Sequence, residues 1–334
     1  MPPRRPIIIG HRGAPGYRPE HTRSSYALAL AHGVDAVEPD VVFTRDRVAV
    51  VRHENEIGST TDVADHPRFA DRRTTKTIDG TPLTGWFTED FTWDELATLR
   101  CRERLPQLRP GSAGFDGQQP PLRLLDVLEL VAAAELEQGR EIGVVLEIKH
   151  ATYFEKIGYD VAALIADELT AAGWGGGEHP LTVESFEPGI LDRVRAHGIR
   201  GSYVFLLEAG GRPFDLAADL SDSAPTYRWF ASPQGLDSLV GRVDGISLDK
   251  VMLLAAGRRP GAHPAPLVAD AHDRGLRVLT WTCRPENAFL ERRHRIGRRP
   301  SQFGDWESEW RELVDAGVDG LFVDHPDLAV ALFA

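Results

Sequence analysis

Residues 24–43 read SSYALALAHGVDAVEPDVVF. Ser24 to Ala31 carry apolar residues at helical spacing, His32-Gly33-Val34 stops the helix, and Ala36 to Phe43 follow as a strand. A glycine just past a helix C-terminus adopts the left-handed conformation that ends it. Within the strand Glu38 and Asp40 stand two apart, so both side chains share one face. A carboxylate pair stands where a core-facing strand should be apolar.

The same punctuation recurs at His197-Gly198-Ile199, Arg274-Gly275-Leu276 and Ala316-Gly317-Val318, and Pro264 to Asp273 has a helical pattern ahead of one of these stops. Strands are expected at Ile7–Gly10, Ala36–Phe43, Val48–His53, Gly143–Lys149, Leu181–Phe186, Ser202–Leu207, Gly245–Leu248, Arg277–Thr282 and Gly320–Asp324. Helical patterns alternate with most of them, which argues for βα units with parallel pairing. Val48–His53 follows the turn-like Thr44-Arg45-Asp46-Arg47 and is read as a hairpin partner of Ala36–Phe43. Eight strands then remain, enough to close a (β/α)8 barrel; an open doubly wound sheet is the competing topology.

From about Glu54 to Gln119 the alternation breaks down into a stretch rich in Thr, Asp and Gly, with Trp86, Phe87, Phe91 and Trp93. Over sixty residues is too long for an ordinary βα loop. Residues 54–119 are therefore expected to form a small insertion subdomain over the barrel's C-terminal mouth, the rest of 1–334 being a single catalytic barrel domain.

The 334 residues carry 38 basic and 50 acidic side chains, a formal charge of −12 that argues against non-specific nucleic-acid binding. No run approaches the length of a membrane span. The opening MPPRRPIIIGHRG has too few apolar residues for a signal-peptide core, so a chain starting here is expected in the cytoplasm; a trimmed secreted protein would read the same. Two cysteines, Cys101 and Cys283, make neither a disulfide framework nor a zinc site.

The polar residues at strand ends form a set. His11 and Arg12 close the first strand, His53 ends Val48–His53, and Glu147 and Lys149 share a face of Val144-Val145-Leu146-Glu147-Ile148-Lys149. Taken singly, Glu38 and Asp40 could face solvent, Glu147 and Lys149 could be a structural ion pair, and each histidine could be structural. Converging at a barrel mouth, the three carboxylates need a cation between them, and oxygen ligands suit Mg²⁺ or Ca²⁺. Arg12 and Lys149 would neutralise a phosphoryl group, and two histidines would move the protons of a phosphodiester cleavage.

At this point the chain resembles the glycerophosphodiester phosphodiesterases. The resemblance is carried by His11-Arg12-Gly13, Pro19-Glu20-His21-Thr22, Glu38-Pro39-Asp40 and Val51-Arg52-His53. It continues through Leu146-Glu147-Ile148-Lys149, Ser185-Phe186-Glu187-Pro188, Thr280-Trp281-Thr282 and Gly317 to Asp324. The resemblance implies a TIM-type barrel with an insertion after the early strands, and metal-dependent hydrolysis of glycerophosphodiesters to sn-glycerol 3-phosphate and an alcohol. It implies His11 and His53 as the general acid/base pair, and Glu38, Asp40 and Glu147 as ligands of Ca²⁺ or Mg²⁺. Arg12 and Lys149 would contact phosphate, Glu20 would orient Arg12 or a histidine, and Trp281 would pack on the glycerol. Its partner is a small-molecule diester. His21 stands where the family usually has Asn, Glu54 where it has Asp, and Asp324-His325-Pro326 lacks an expected aromatic; altered orientation or substrate preference is the expected consequence. Two other readings stay open: another ester, a lipid if the insertion's aromatics line an apolar groove, and a catalytically silent phosphate binder.

Overall fold

The computed structural model describes residues 5–220, 223–256 and 265–334. The chain forms β1 (Ile7–His11), β2 (Ala36–Glu38), β3 (Asp40–Phe43), β4 (Ala49–Val51), β5 (Thr74–Ile78), β6 (Thr81–Gly85), β7 (Gly143–Ile148) and β8 (Leu181–Ser185), then β9 (Ser202–Leu207), β10 (Gly245–Asp249), β11 (Arg277–Cys283) and β12 (Gly320–Val323). The main sheet runs β2-β1-β12-β11-β10-β9-β8-β7-β3-β4, and a further β2–β7 pairing closes it. Pro39 has no N–H to give the ladder, and the predicted strand 36–43 splits there into β2 and β3. With these counted as one strand, eight parallel strands close a (β/α)8 barrel, and β4 hangs antiparallel on β3. The open-sheet alternative is excluded by that closure.

The helices follow the predicted punctuation. Helix Arg23–Ala31 starts on Thr22, whose Oγ1 accepts the Ser25 N–H at 3.2 Å, and helix Ala265–His272 lies where Pro264 to Asp273 was expected, Pro264 itself falling outside the described residues. Gly33, Gly198, Gly275 and Gly317 all have φ between 74° and 99°, the conformation a helix stop demands.

Outward-facing strand residues and the inner helix faces make one large apolar core, including Ile8, Val37, Val144, Leu146, Val183, Ile246 and Leu321. Ile9, Ala36, Val145, Val204, Leu279 and Phe322 fill the barrel interior instead. This inner cluster ends at Ile9 and Val145; two residues further along the same strands stand His11 and Glu147. The apolar filling therefore stops one layer below the C-terminal strand ends, where polar side chains take over the interior.

Residues 54–119 hold the β5–β6 hairpin and the short helices Trp93–Leu96 and Pro110–Ala113. Phe69 and Phe91 meet edge to face at 5.0 Å, and both belong to the barrel's main core cluster with Ile57, Val63, Leu96 and Leu99. Among the described residues no helix is long and apolar enough to cross a membrane. Cys101 and Cys283 are free thiols, both buried.

Candidate active site

Parallel register sets the site's layout. His11 lies beside Glu38, Asp40 beside Glu147, and Glu147 beside Glu184, so adjacent strands present polar groups at one level of the barrel. Beyond β1 the chain must double back tightly. Gly13 has φ 90°, and a Cβ there would sit 2.5 Å from the backbone of Ser25, so only glycine permits the turn. That turn brings the Arg12 N–H to Glu38 Oε2 at 2.9 Å.

A cavity of about 700 Å³ opens at this end of the barrel. It is lined by His11, Arg12, Glu38, His53, Glu147, Lys149 and Trp281 among others, so seven of the nine expected residues face one space. Glu20 and Asp40 stand behind it. Glu20 accepts from Arg12 Nη1 at 2.9 Å and from Arg104 Nε and Nη2 at 2.9 and 2.6 Å. Asp40 is held by His21 Nε2 at 2.9 Å, Arg12 Nε at 3.2 Å and Lys149 Nζ at 3.2 Å. His21, in the usual Asn position, thus anchors Asp40, its Nδ1 accepting the Tyr26 hydroxyl at 2.7 Å.

Each expected acid/base histidine is tied to a carboxylate. His11 Nδ1 donates to Asp324 Oδ1 at 2.6 Å, and His53 Nδ1 donates to Glu54 Oε1 at 2.6 Å. Glu54, standing where the family resemblance leads one to expect Asp, is thus the carboxylate that holds His53. Asp324 is itself gripped by Arg109 Nη2 at 2.6 Å and Arg284 Nε at 2.7 Å. Burial would push Asp324 up, but Arg284 and Arg109 hold it well below the usual carboxylate range. Burial and then the Arg12 charge lower His11 to about 4, and burial with Arg12 and Lys149 holds His53 well below its ordinary value. Both rings are neutral at neutral pH.

The carboxylates behave differently. Burial and the neighbouring Asp40 raise Glu38 well above its ordinary value; burial, partly offset by Lys149, raises Glu147 to about 8. Burial and Glu147 raise Glu184. Asp40, despite the same burial, is lowered by Lys149, His53 and Arg12. Glu38 Oε1 and Glu184 Oε2 are buried with no hydrogen-bond partner, and ligand oxygens of Glu38, Glu147 and Glu184 lie within 4.8 Å of one another. Converging, unsatisfied carboxylate oxygens are what a hard divalent cation requires, so this group fits one. The triad differs from the expected ligands in one place: Glu184 joins Glu38 and Glu147, while Asp40 leans toward cations.

The sequence reading passed over Glu184, Arg104, Arg109 and Arg284, and noted Glu54 and Asp324 only as parts of departures from the family pattern. Glu184 was findable, because it interrupts the apolar pattern of Leu181–Phe186 as Glu147 interrupts its own strand. The arginines lie in irregular loops, with no period to reveal their direction. From residues 54–119, Glu54, Asp79, Thr81 and Arg104 line the cavity. The four aromatics do not: Phe87 and Phe91 are buried, Trp86 donates to the Phe69 carbonyl at 2.7 Å, and Trp93 packs on the core.

Known proteins agree with this architecture. Residues 11–328 match the family model of the glycerophosphoryl diester phosphodiesterases. The chain is 28% identical to glycerophosphodiester phosphodiesterase GDPD6 of Arabidopsis thaliana, over 96% of this chain and 84% of that protein. It is 27% identical to a glycerophosphodiester phosphodiesterase of Treponema pallidum, over 97% and 90%. An Oleispira antarctica phosphodiesterase, solved in complex with the product sn-glycerol-3-phosphate, superposes with a TM-score of 0.63 at 20% identity, covering 98% of this chain and 96% of that one. An Agrobacterium tumefaciens glycerophosphodiester phosphodiesterase gives 0.57 at 18%, covering 98% and 99%. These two share the fold. The family match extends from His11 at the barrel mouth into the final helix, and this chain is a phosphodiesterase that belongs to the glycerophosphoryl diester phosphodiesterase family.

Proposed function

We propose that the enzyme hydrolyses glycerophosphodiesters to sn-glycerol 3-phosphate and an alcohol, with a Ca²⁺ or Mg²⁺ ion held by Glu38 and Glu147 and with Asp40 beside them. The observation that carries this reading is the pair of His–carboxylate contacts facing one cavity with those carboxylates. The product found in the Oleispira antarctica relative supports the same chemistry.

In each pair the carboxylate accepts from Nδ1–H, which fixes the tautomer and leaves Nε2 to exchange a proton with substrate. One ring, neutral, takes the proton of the attacking oxygen on Nε2 as the O–P bond forms. The other, made imidazolium by the phosphodiester's negative charge beside it, delivers its Nε2 proton to the leaving alkoxide as the second O–P bond breaks. Arg12 and Lys149 place positive charge against the phosphoryl oxygens. Bound at the glutamates, a divalent cation supplies further neutralisation of the phosphoryl charge. Trp281 offers an apolar face for the glycerol carbons, standing edge to face with Phe186 at 5.6 Å. Residues 54–119 form a wall of the mouth through Glu54, Asp79, Thr81 and Arg104; this polar lining, with the aromatics turned into the core, favours a water-soluble diester over a lipid.

The test is release of glycerol 3-phosphate from glycerophosphocholine in EDTA, then with Ca²⁺ or Mg²⁺ restored. Activity that returns with metal is expected; folded protein that turns over no glycerophosphodiester with either ion overturns the reading. A cyclic glycerophosphate trapped at early times would show the glycerol hydroxyl attacking before water.

A further inference from the structure

Glu184 has no place in the acid/base pairs and none in the ligand set that the family resemblance implies. It is 1% exposed, and its Oε2 has no hydrogen-bond partner. Its neighbours each have at least one charged or N–H partner on a carboxylate oxygen, although Glu38 Oε1, like Glu184 Oε2, has none. Glu147 has Lys149 Nζ at 2.7 Å, Asp40 has His21, Arg12 and Lys149, and Glu38 has the Arg12 N–H. A carboxylate buried without a counter-charge is costly, and a carboxyl beside Glu147 is more so. Yet Glu184 lines the cavity and brings an oxygen within 4.8 Å of oxygens from both Glu38 and Glu147. One ion can touch oxygens that close.

We infer that Glu184 is a ligand of the divalent cation, a carboxylate added to those of Glu38 and Glu147, and that it makes the centre prefer Ca²⁺ to Mg²⁺. The inference rests on the metal reading above. Its selectivity follows from ligand number. Mg²⁺ dehydrates reluctantly and is usually held through one or two carboxylates, whereas Ca²⁺ accepts six to eight oxygens in flexible geometry. Three carboxylates from β2, β7 and β8, with Asp40 beside them, crowd a small hydrated ion and satisfy a larger one.

Calorimetric titration of the metal-stripped full chain with Ca²⁺ and Mg²⁺ tests this, using wild type, Glu184→Gln and Glu38→Gln. The wild type is expected to bind Ca²⁺ at least tenfold more tightly than Mg²⁺. Glu184→Gln should lose Ca²⁺ affinity tenfold or more and narrow that preference. Thermal melts add a readout that does not depend on turnover. In EDTA, Glu184→Gln should melt above wild type because a buried carboxyl that must repel its neighbours or be protonated is gone, while its Ca²⁺-induced rise in Tm should be smaller. Ca²⁺ affinity within twofold of wild type in Glu184→Gln, with binding lost in Glu38→Gln, removes Glu184 from the centre and leaves the metal reading intact. A loss of both ions in equal proportion overturns the selectivity. A variant that melts lower than wild type by the same amount with and without Ca²⁺ marks Glu184 as structural and overturns the assignment. Wild type that binds neither ion overturns the metal reading itself.

Discussion

His11 and His53 each depend on one partner, and the two dependences can be separated by mutation. His11→Ala or His53→Ala should lower kcat about 10²–10⁴-fold, the usual worth of a general acid or base, with the fold retained by circular dichroism. Glu54→Gln is subtler: an amide can still touch His53 but stabilises its charged form less. A fall in kcat of about tenfold with KM changed little is expected. An unchanged kcat would mean that His53 needs no orienting anion. His150 offers a pH signature. Burial alone would lower it, but a hydrogen bond to Asp79 at the β5–β6 turn and the Glu54 carboxylate 3.8 Å from its Nε2 raise it to about 9. A raised histidine contributes stability below its unfolded value near 6.5, and that stability is lost as pH rises through about 9. Tm should therefore fall between pH 6.5 and 9 in wild type and fall less in His150→Gln; parallel profiles would refute the assignment.

At the level of elements, the insertion does more than wall the cavity. Arg109, just before helix Pro110–Ala113, reaches Glu286 Oε1 at 2.7 Å and Asp324 Oδ2 at 2.6 Å. Glu286 belongs to the long connection after β11, and Asp324 follows β12 and orients His11. One buried guanidinium thus ties residues 54–119 to two βα connections and, through Asp324, to the ring of His11. Arg109→Met would leave two buried carboxylates short of a cation, a loss of about 3–5 kcal/mol in the manner of a broken buried pair. It should also lower kcat with little change in KM, and Arg109→Lys should restore much of the stability. Full activity in Arg109→Met, measured where the variant is folded, would show that Arg284 alone positions Asp324.

For the molecule as a whole, the barrel places its cost and its chemistry at the same end. Glu38, Glu147 and Glu184 are all buried there, so in the metal-free protein they must either repel one another or take up protons, a cost that a cation would relieve. A ligand present at one hundred times its Kd stabilises the folded state by about 2.7 kcal/mol. Stripping the protein with EDTA should accordingly lower Tm by several degrees, and restoring Ca²⁺ should recover it. A Tm indifferent to EDTA would argue that the glutamates are simply protonated in the working enzyme.

The repeating helix–glycine–strand pattern determined the alternation of helices and parallel strands by itself, because each stop needs a left-handed residue and each buried parallel strand needs an apolar run. Those are local demands, visible in a one-dimensional chain. The polar strand residues at the barrel's mouth were legible for the same reason: Glu38, Asp40 and Glu147 break an apolar pattern that burial would otherwise enforce. What only the tertiary structure decided was pairing between elements far apart in sequence, beginning with the β2–β7 pairing that closes the sheet into a barrel. His11 meets Asp324 across 313 positions and Arg109 meets Asp324 across 215. No periodicity encodes such meetings; they follow from closing the barrel, which brings the last strand beside the first. Closure also turned Asp40 toward Arg12, His21 and Lys149 and left Glu184 beside Glu38 and Glu147, a division among four carboxylates that depends on which cations the neighbouring strands bring within reach.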